Sequence, residues 1–219
     1  MTAERTARRG GRAVASLGVA VLAGVLIGLL LTGGPWSPRP VDGSSAEAGF
    51  ARDMQTHHLQ GAEMALLIRD RTTDEEVRYL ATDLLLTQQQ QSGQLFGWLT
   101  SWGLPQASTD EAMQWMAAPL DDGGHARMPG HGTGEDGAMR MPGLATPAQI
   151  AELTAATGAE ADVLFLELMI AHHDGALTMS DAVIERGEDP RVLTFAEVIS
   201  TSQRLEILQM QDMLAARRS

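Results

Sequence analysis

Apolar positions along the chain follow two different patterns. From Ala13 to Leu31 they run without a charge, behind a flank of Arg5, Arg8, Arg9 and Arg12. At 1.5 Å per residue, a helix over this run is about 30 Å long, the thickness of a bilayer's hydrocarbon core. The basic flank predicts an N-terminus in the cytoplasm and the rest of the chain outside. Residues 1–12 are thus expected as a cytoplasmic basic terminus, 13–32 as a transmembrane anchor, and 33–45, rich in Gly, Pro and Ser, as a tether. The rival reading is a cleaved export signal, leaving a secreted protein. The run is long for that, and Thr32-Gly33-Gly34-Pro35-Trp36 offers no small-x-small cleavage site.

Beyond residue 45 the apolar positions recur at helical spacing, and the pattern repeats. At an offset of 115, residues 50–99 match 165–214 without a gap. Twelve of the fifty positions are identical, among them Phe50/Phe165, Met54/Met169, His57/His172, His58/His173, Met64/Met179, Arg71/Arg186 and Asp74/Asp189. A repeat this long sets the architecture. Each copy, 46–102 and 158–216, reads as a helical hairpin. In the first, a helix over 45–70 is followed by Thr73 and Glu76 in the form of a capping box, opening a second helix to about Trp102. In the second, a helix from about Gly158 ends near Gly187, a C′ glycine, and Asp189-Pro190 starts the last helix. A short helix begins at Thr146-Pro147, capped with Gln149. Two hairpins with one apolar face each bury those faces against each other, which predicts an all-α four-helix bundle with pseudo-twofold symmetry over 46–219. The linker 103–149 is expected to be largely irregular.

The repeated stripe carries unusual side chains. Met54, His57, Gly61 and Met64 lie at i, i+3, i+7 and i+10, on one helix face, with Phe50 a turn earlier. Phe165, Met169, His172, Ala176 and Met179 repeat the pattern. Methionines at this spacing alone suit core filling. Paired histidines change the balance, because burying two imidazoles per helix is costly without partners. A thioether and an imidazole one turn apart can close on one ion. Thioether is a soft donor that selects Cu(I) or Ag(I), while imidazole also accepts Cu(II) and zinc. The candidate ligands are His57, His58, His172, His173, Met54, Met64, Met169 and Met179. The linker adds His125, Met128, His131, Met139 and Met141 as an auxiliary set. Gln88/Gln203 and Gln91/Glu206, on the partner helices, are read as helix-surface residues, with orientation of the imidazoles as the alternative. Asp53, Glu63, Glu167 and Asp174 do not recur between the repeats and read as solvated or as local hydrogen-bond partners.

Composition narrows this further. The chain has no cysteine, which removes disulfides, thiolate zinc sites, iron–sulfur clusters and thiol catalysis. Residues 41–219 carry a net charge of −16, which argues against nucleic acid and against an anionic bilayer as a docking surface. No Glu is followed by His three residues later, so the di-iron Glu-x-x-His motif is missing.

Phe50-x-x-x-Met54-x-x-His57-His58 with Met64, and Phe165-x-x-x-Met169-x-x-His172-His173 with Met179, resemble the paired signatures of the DUF305 family. Met139-x-Met141-Pro-Gly before Thr146-Pro147, and Gly158-Ala-Glu-Ala-Asp162 before Phe165, are similar to its central segment. Leu144 stands where relatives often have another Met. The resemblance covers about residues 45–216 and implies a ferritin-like helical bundle, usually exported, with copper-binding, copper-tolerance proteins among the relatives. The chain is therefore expected to be a non-enzymatic, extracytoplasmic binder of copper, Cu(I) above Cu(II), or of silver. Its partners would be the metal ion, the membrane through the N-terminal helix, a metal donor or acceptor protein, and a second copy in a homodimer. The alternatives are a metal-dependent oxidase or hydrolase using the paired histidines, and a structural or partner-binding helical module.

Overall fold

The computed structural model describes residues 40–117 and 141–218. The expected anchor at 13–32, and His125, Met128, His131 and Met139 of the linker, lie outside the described residues. Among the described residues all regular structure is helical, and no helix is long and apolar enough to cross a membrane. The described residues from 41 onward form one compact unit.

Helix α1 (Ala46–Arg69) opens at Ser45, whose hydroxyl accepts from the Ala48 N–H. Helix α2 (Glu75–Ser101) opens one residue later than its sequence pattern suggested. The cap is Asp74, whose Oδ1 accepts from the Glu76 and Val77 amides, while Thr72 accepts from the Asp74 N–H. A carboxylate one residue closer to the helix satisfies two free donors and favours the positive helix end, which outcompetes a Thr73 box. Helix α3 (Gln114–Ala117) is a single turn in the linker. Helix α4 (Pro147–Ala155) carries the Thr146–Gln149 capping box, made in both directions. Its C-terminal end is held by Arg71, which donates to the Leu153 and Ala156 carbonyls.

Helix α5 (Gly158–Arg186) ends at Gly187, and α6 (Pro190–Arg218) follows. Gly187 is not a left-handed C′ residue: its φ is −84° and its backbone is extended. A side chain there would crowd the Val183 carbonyl, Leu193 and Glu47. Glu47 uses that space to accept from the Glu188 and Asp189 amides, tying the start of α1 to the turn of the second hairpin.

α1 pairs with α2, α5 with α6, and the two hairpins meet along α1 and α5. Trp98 of α2 and Phe195 of α6 meet edge to face at 5.1 Å. Arg217 of α6 pairs with Asp74 of α2. The apolar stripe falls on the core face as its spacing predicted: Phe50, Met54, Met64, Phe165, Met169 and Met179 are all fully buried. The core divides into two clusters. One gathers Met64, Met169, Phe165, Leu84 and Met210, the other Met54, Met179, Phe50, Leu95 and Ile199.

Candidate metal centre

His57, His58, His172 and His173 are fully buried at the meeting of α1 and α5. The His57 and His172 rings stack with centroids 3.8 Å apart and planes tilted by 32°. His58 lies 6.2 Å from His57, and His173 lies 6.2 Å from His172. The repeat therefore brings its four histidines into one layer. It does not bring the four methionines together there: Met54 packs with Met179 in one core cluster and Met64 with Met169 in the other. Antiparallel packing of α1 on α5 causes this, since the residue three before one histidine comes level with the residue seven after its mate.

The tautomers follow from the partners. His57 Nε2 is 3.0 Å from the Pro142 carbonyl, His172 Nε2 is 2.8 Å from the His57 carbonyl, and His173 Nε2 is 2.7 Å from Glu206 Oε2. Carbonyl and carboxylate oxygens accept only, so all three rings carry their proton on Nε2. Nδ1 of each is buried and without a partner. His58 differs, because neither of its nitrogens makes a well-formed hydrogen bond and the polar group against it is the Gln88 carboxamide. Burial first, and the neighbouring imidazoles second, push His58 and His172 down to about 3. The same causes hold His57 well below the usual histidine range. These rings are neutral at ordinary pH, the form in which imidazole donates a lone pair.

A strap from the linker lies over this layer. Besides the Pro142 carbonyl on His57, Ala145 exchanges two hydrogen bonds with the Gln60 carboxamide at 2.8 Å each. Gly143, at φ 72°, packs on the Ala171 carbonyl, and Gly175 lies beneath the Pro142 carbonyl with no room for a Cβ. Gln60 and Gly175 are matched positions of the repeat, so one copy grips the strap and the other makes way for it. Met141, at the start of the strap, packs half-buried against the second core cluster.

The glutamines are not surface residues. Gln88, Gln91 and Gln203 are all buried, because α2 and α6 present them inward, Gln88 against His58. Gln88 fills the space left by Gly61, whose Cβ would meet its carboxamide. Of the unmatched acids, Asp53 accepts from the Met113 amide and the Trp115 indole, anchoring the linker, and Glu167 pairs with Arg218. The sequence carried no sign of the Pro142 carbonyl as a histidine partner, since backbone groups leave none.

Among the described residues no group of three or more His, Asp or Glu side chains is arranged to hold a metal ion as it stands. The layer instead holds five buried imidazole nitrogens without partners, on four neighbouring rings. Neutral imidazoles with free lone pairs can take up a metal ion once rings rotate toward a common point, and thioethers lie in the clusters on either side.

The family profile described as "Domain of unknown function (DUF305)" matches residues 47–214. The chain is 40% identical to a DUF305 protein of Streptomyces coelicolor described as secreted, with TM-score 0.70 over 81% of this chain and 97% of that one. It is 31% identical to a DUF305 fragment from Deinococcus radiodurans, with TM-score 0.60 over 78% and 96%. It shares its fold with CopM in the Cu(II)-bound form, at 22% identity and TM-score 0.53 over 78% and 97%. A mimivirus protein, L153 of Acanthamoeba polyphaga mimivirus, is 40% identical over 57 residues, which span 26% of this chain and 38% of that protein. The chain belongs to the DUF305 family.

Proposed function

We propose that this protein is a non-enzymatic binder of a soft metal ion, copper before silver, acting outside the cytoplasm to buffer the ion or hand it on. The observation that carries this reading is the state of the histidine layer. His57, His172 and His173 each donate Nε2–H to a carbonyl or carboxylate and leave Nδ1 free. Metal-bound histidines are held in this way, with the second nitrogen donating to an oxygen that fixes the ring and raises its basicity. A merely structural cluster would spend its nitrogens on one another, because a buried polar atom without a partner costs about 1–3 kcal/mol. Neutral rings bind metal without first losing a proton. The methionines then supply soft donors at each end of the layer, which favours Cu(I). CopM, similar in fold, has been solved with Cu(I) and with Cu(II) bound, and the Streptomyces coelicolor relative is described as secreted. Both agree with a copper protein outside the cytoplasm.

The test is an anaerobic Cu(I) titration of the full chain against a chelator, beside a variant with all four layer histidines changed to Ala. The parent is expected to take Cu(I) from the chelator and the variant to fail. Equal affinity in two proteins of equal helicity would reject the reading. Met54→Leu, Met64→Leu, Met169→Leu and Met179→Leu separate ligation from packing, because this change keeps volume and apolarity.

A further inference from the structure

The two repeats match in their histidines but not in what stands behind them. His58 and His173 occupy matching positions, as do Gln91 and Glu206 on the partner helices. His173 donates Nε2–H to Glu206 Oε2 at 2.7 Å. Gln91 is buried with its Oε1 unpartnered. His58 makes no well-formed hydrogen bond on either nitrogen, and the polar group set against it is the Gln88 carboxamide.

We propose that this difference makes the two ligand halves unequal: Glu206 makes His173 the anchoring ligand, and Gln91 leaves His58 as the exchangeable one. The inference rests on the metal-binding reading and assigns order within that site. A carboxylate only accepts, so Glu206 admits one tautomer of His173 and holds the Nδ1 lone pair ready. It also makes that nitrogen a stronger donor, as carboxylate–histidine pairs do at metal centres. With Gln91 in place of that carboxylate, the group set against His58 is the Gln88 carboxamide, which donates from one end and accepts from the other and so admits either tautomer. A ring held in neither state closes on an ion later and leaves it sooner than one already set. The ion is therefore held at the second repeat and released by way of the first.

The experiment has a metal-free arm and a metal-bound arm, both on the full chain. Long-range nitrogen–proton NMR of 15N-histidine protein is expected to show His57, His172 and His173 as single Nε2–H tautomers and His58 as an interconverting pair. Glu206→Gln should convert the His173 signal to a pair, and Gln91→Glu should convert the His58 signal to a single Nε2–H tautomer. If both rings keep their parent signals in both variants, the proposal is overturned. In the second arm, Glu206→Gln is expected to lower Cu(I) affinity roughly 10–100-fold, the range for removed second-sphere partners. Gln91→Glu is expected to slow Cu(I) release to a chelator. Equal losses from His58→Ala and His173→Ala would overturn the proposal, since an exchangeable ligand must cost less. If the parent binds no Cu(I), the metal-binding reading falls, and the NMR arm alone decides whether Glu206 sets the ring.

Discussion

Two imidazoles with centroids 3.8 Å apart repel when both are charged, and burial keeps His57 and His172 neutral. His58 and His172 take up protons near 6.5 in the unfolded chain but only at about 3 in the folded one. Between those values the unfolded state binds more protons, so stability rises with pH. The contribution is complete above about pH 6.5 and is lost as pH falls toward 3. The denaturation midpoint of the metal-free protein is therefore expected to drop steadily from pH 7 to pH 5, and less steeply in a His58→Gln variant. A flat profile over that range, identical in both, would show that the rings are not buried neutral.

Elements are joined in this bundle by single side chains whose roles separate cleanly on mutation. Asp74 caps α2 and pairs with Arg217, whereas Thr73 does neither. Asp74→Ala should cost about 1 kcal/mol or more, and Thr73→Ala less than about 0.5 kcal/mol, in denaturant titrations at pH 7. Reversed magnitudes would restore the capping box at Thr73. The repeat already held the better answer, because Asp74 recurs as Asp189, which accepts from the Arg191 N–H at the start of α6, while Thr73 has no mate. Hairpins, buried stripe and histidine layer were legible because period and repetition encode them. The strap was not, because its seat depends on Gly175 lying under Pro142, a contact between residues far apart in sequence. Gly175→Ala is expected to lift the strap, lower stability by about 1–3 kcal/mol as overpacking does, and speed hydrogen exchange at Ala145. Gly61→Ala, which meets only the movable end of Gln88, serves as the control. An unchanged Ala145 amide in Gly175→Ala would show that the strap is held from Gln60 alone.

At the scale of the whole molecule, the core belongs to neither hairpin. Each of the two clusters draws residues from both repeats, with Met64 beside Met169 and Met54 beside Met179, and the histidine layer lies where α1 meets α5. One hairpin alone exposes its apolar face, in the first Phe50, Met54 and Met64 among others, more than two helices can offset against chain entropy. Yet that face was built to meet a near-copy of itself across a pseudo-twofold axis. A second identical hairpin can take the place of the missing repeat, through an isologous contact in which each residue meets the mate of its own partner. A fragment of residues 41–117 is therefore expected to gain helicity with concentration, and to sediment as a dimer where it is helical. His57 would then stack on His57 of the second copy. The dimer should be weaker than the intact bundle, since it lacks the bond from Glu47 to the second hairpin's turn, the Arg217–Asp74 pair and the strap. It should also lack a Glu206 behind either paired histidine, so any Cu(I) it binds should be released faster than by the full chain. Concentration-independent helicity in a monomeric fragment would show that the first hairpin folds on its own, and that the shared core is not what holds the two repeats together.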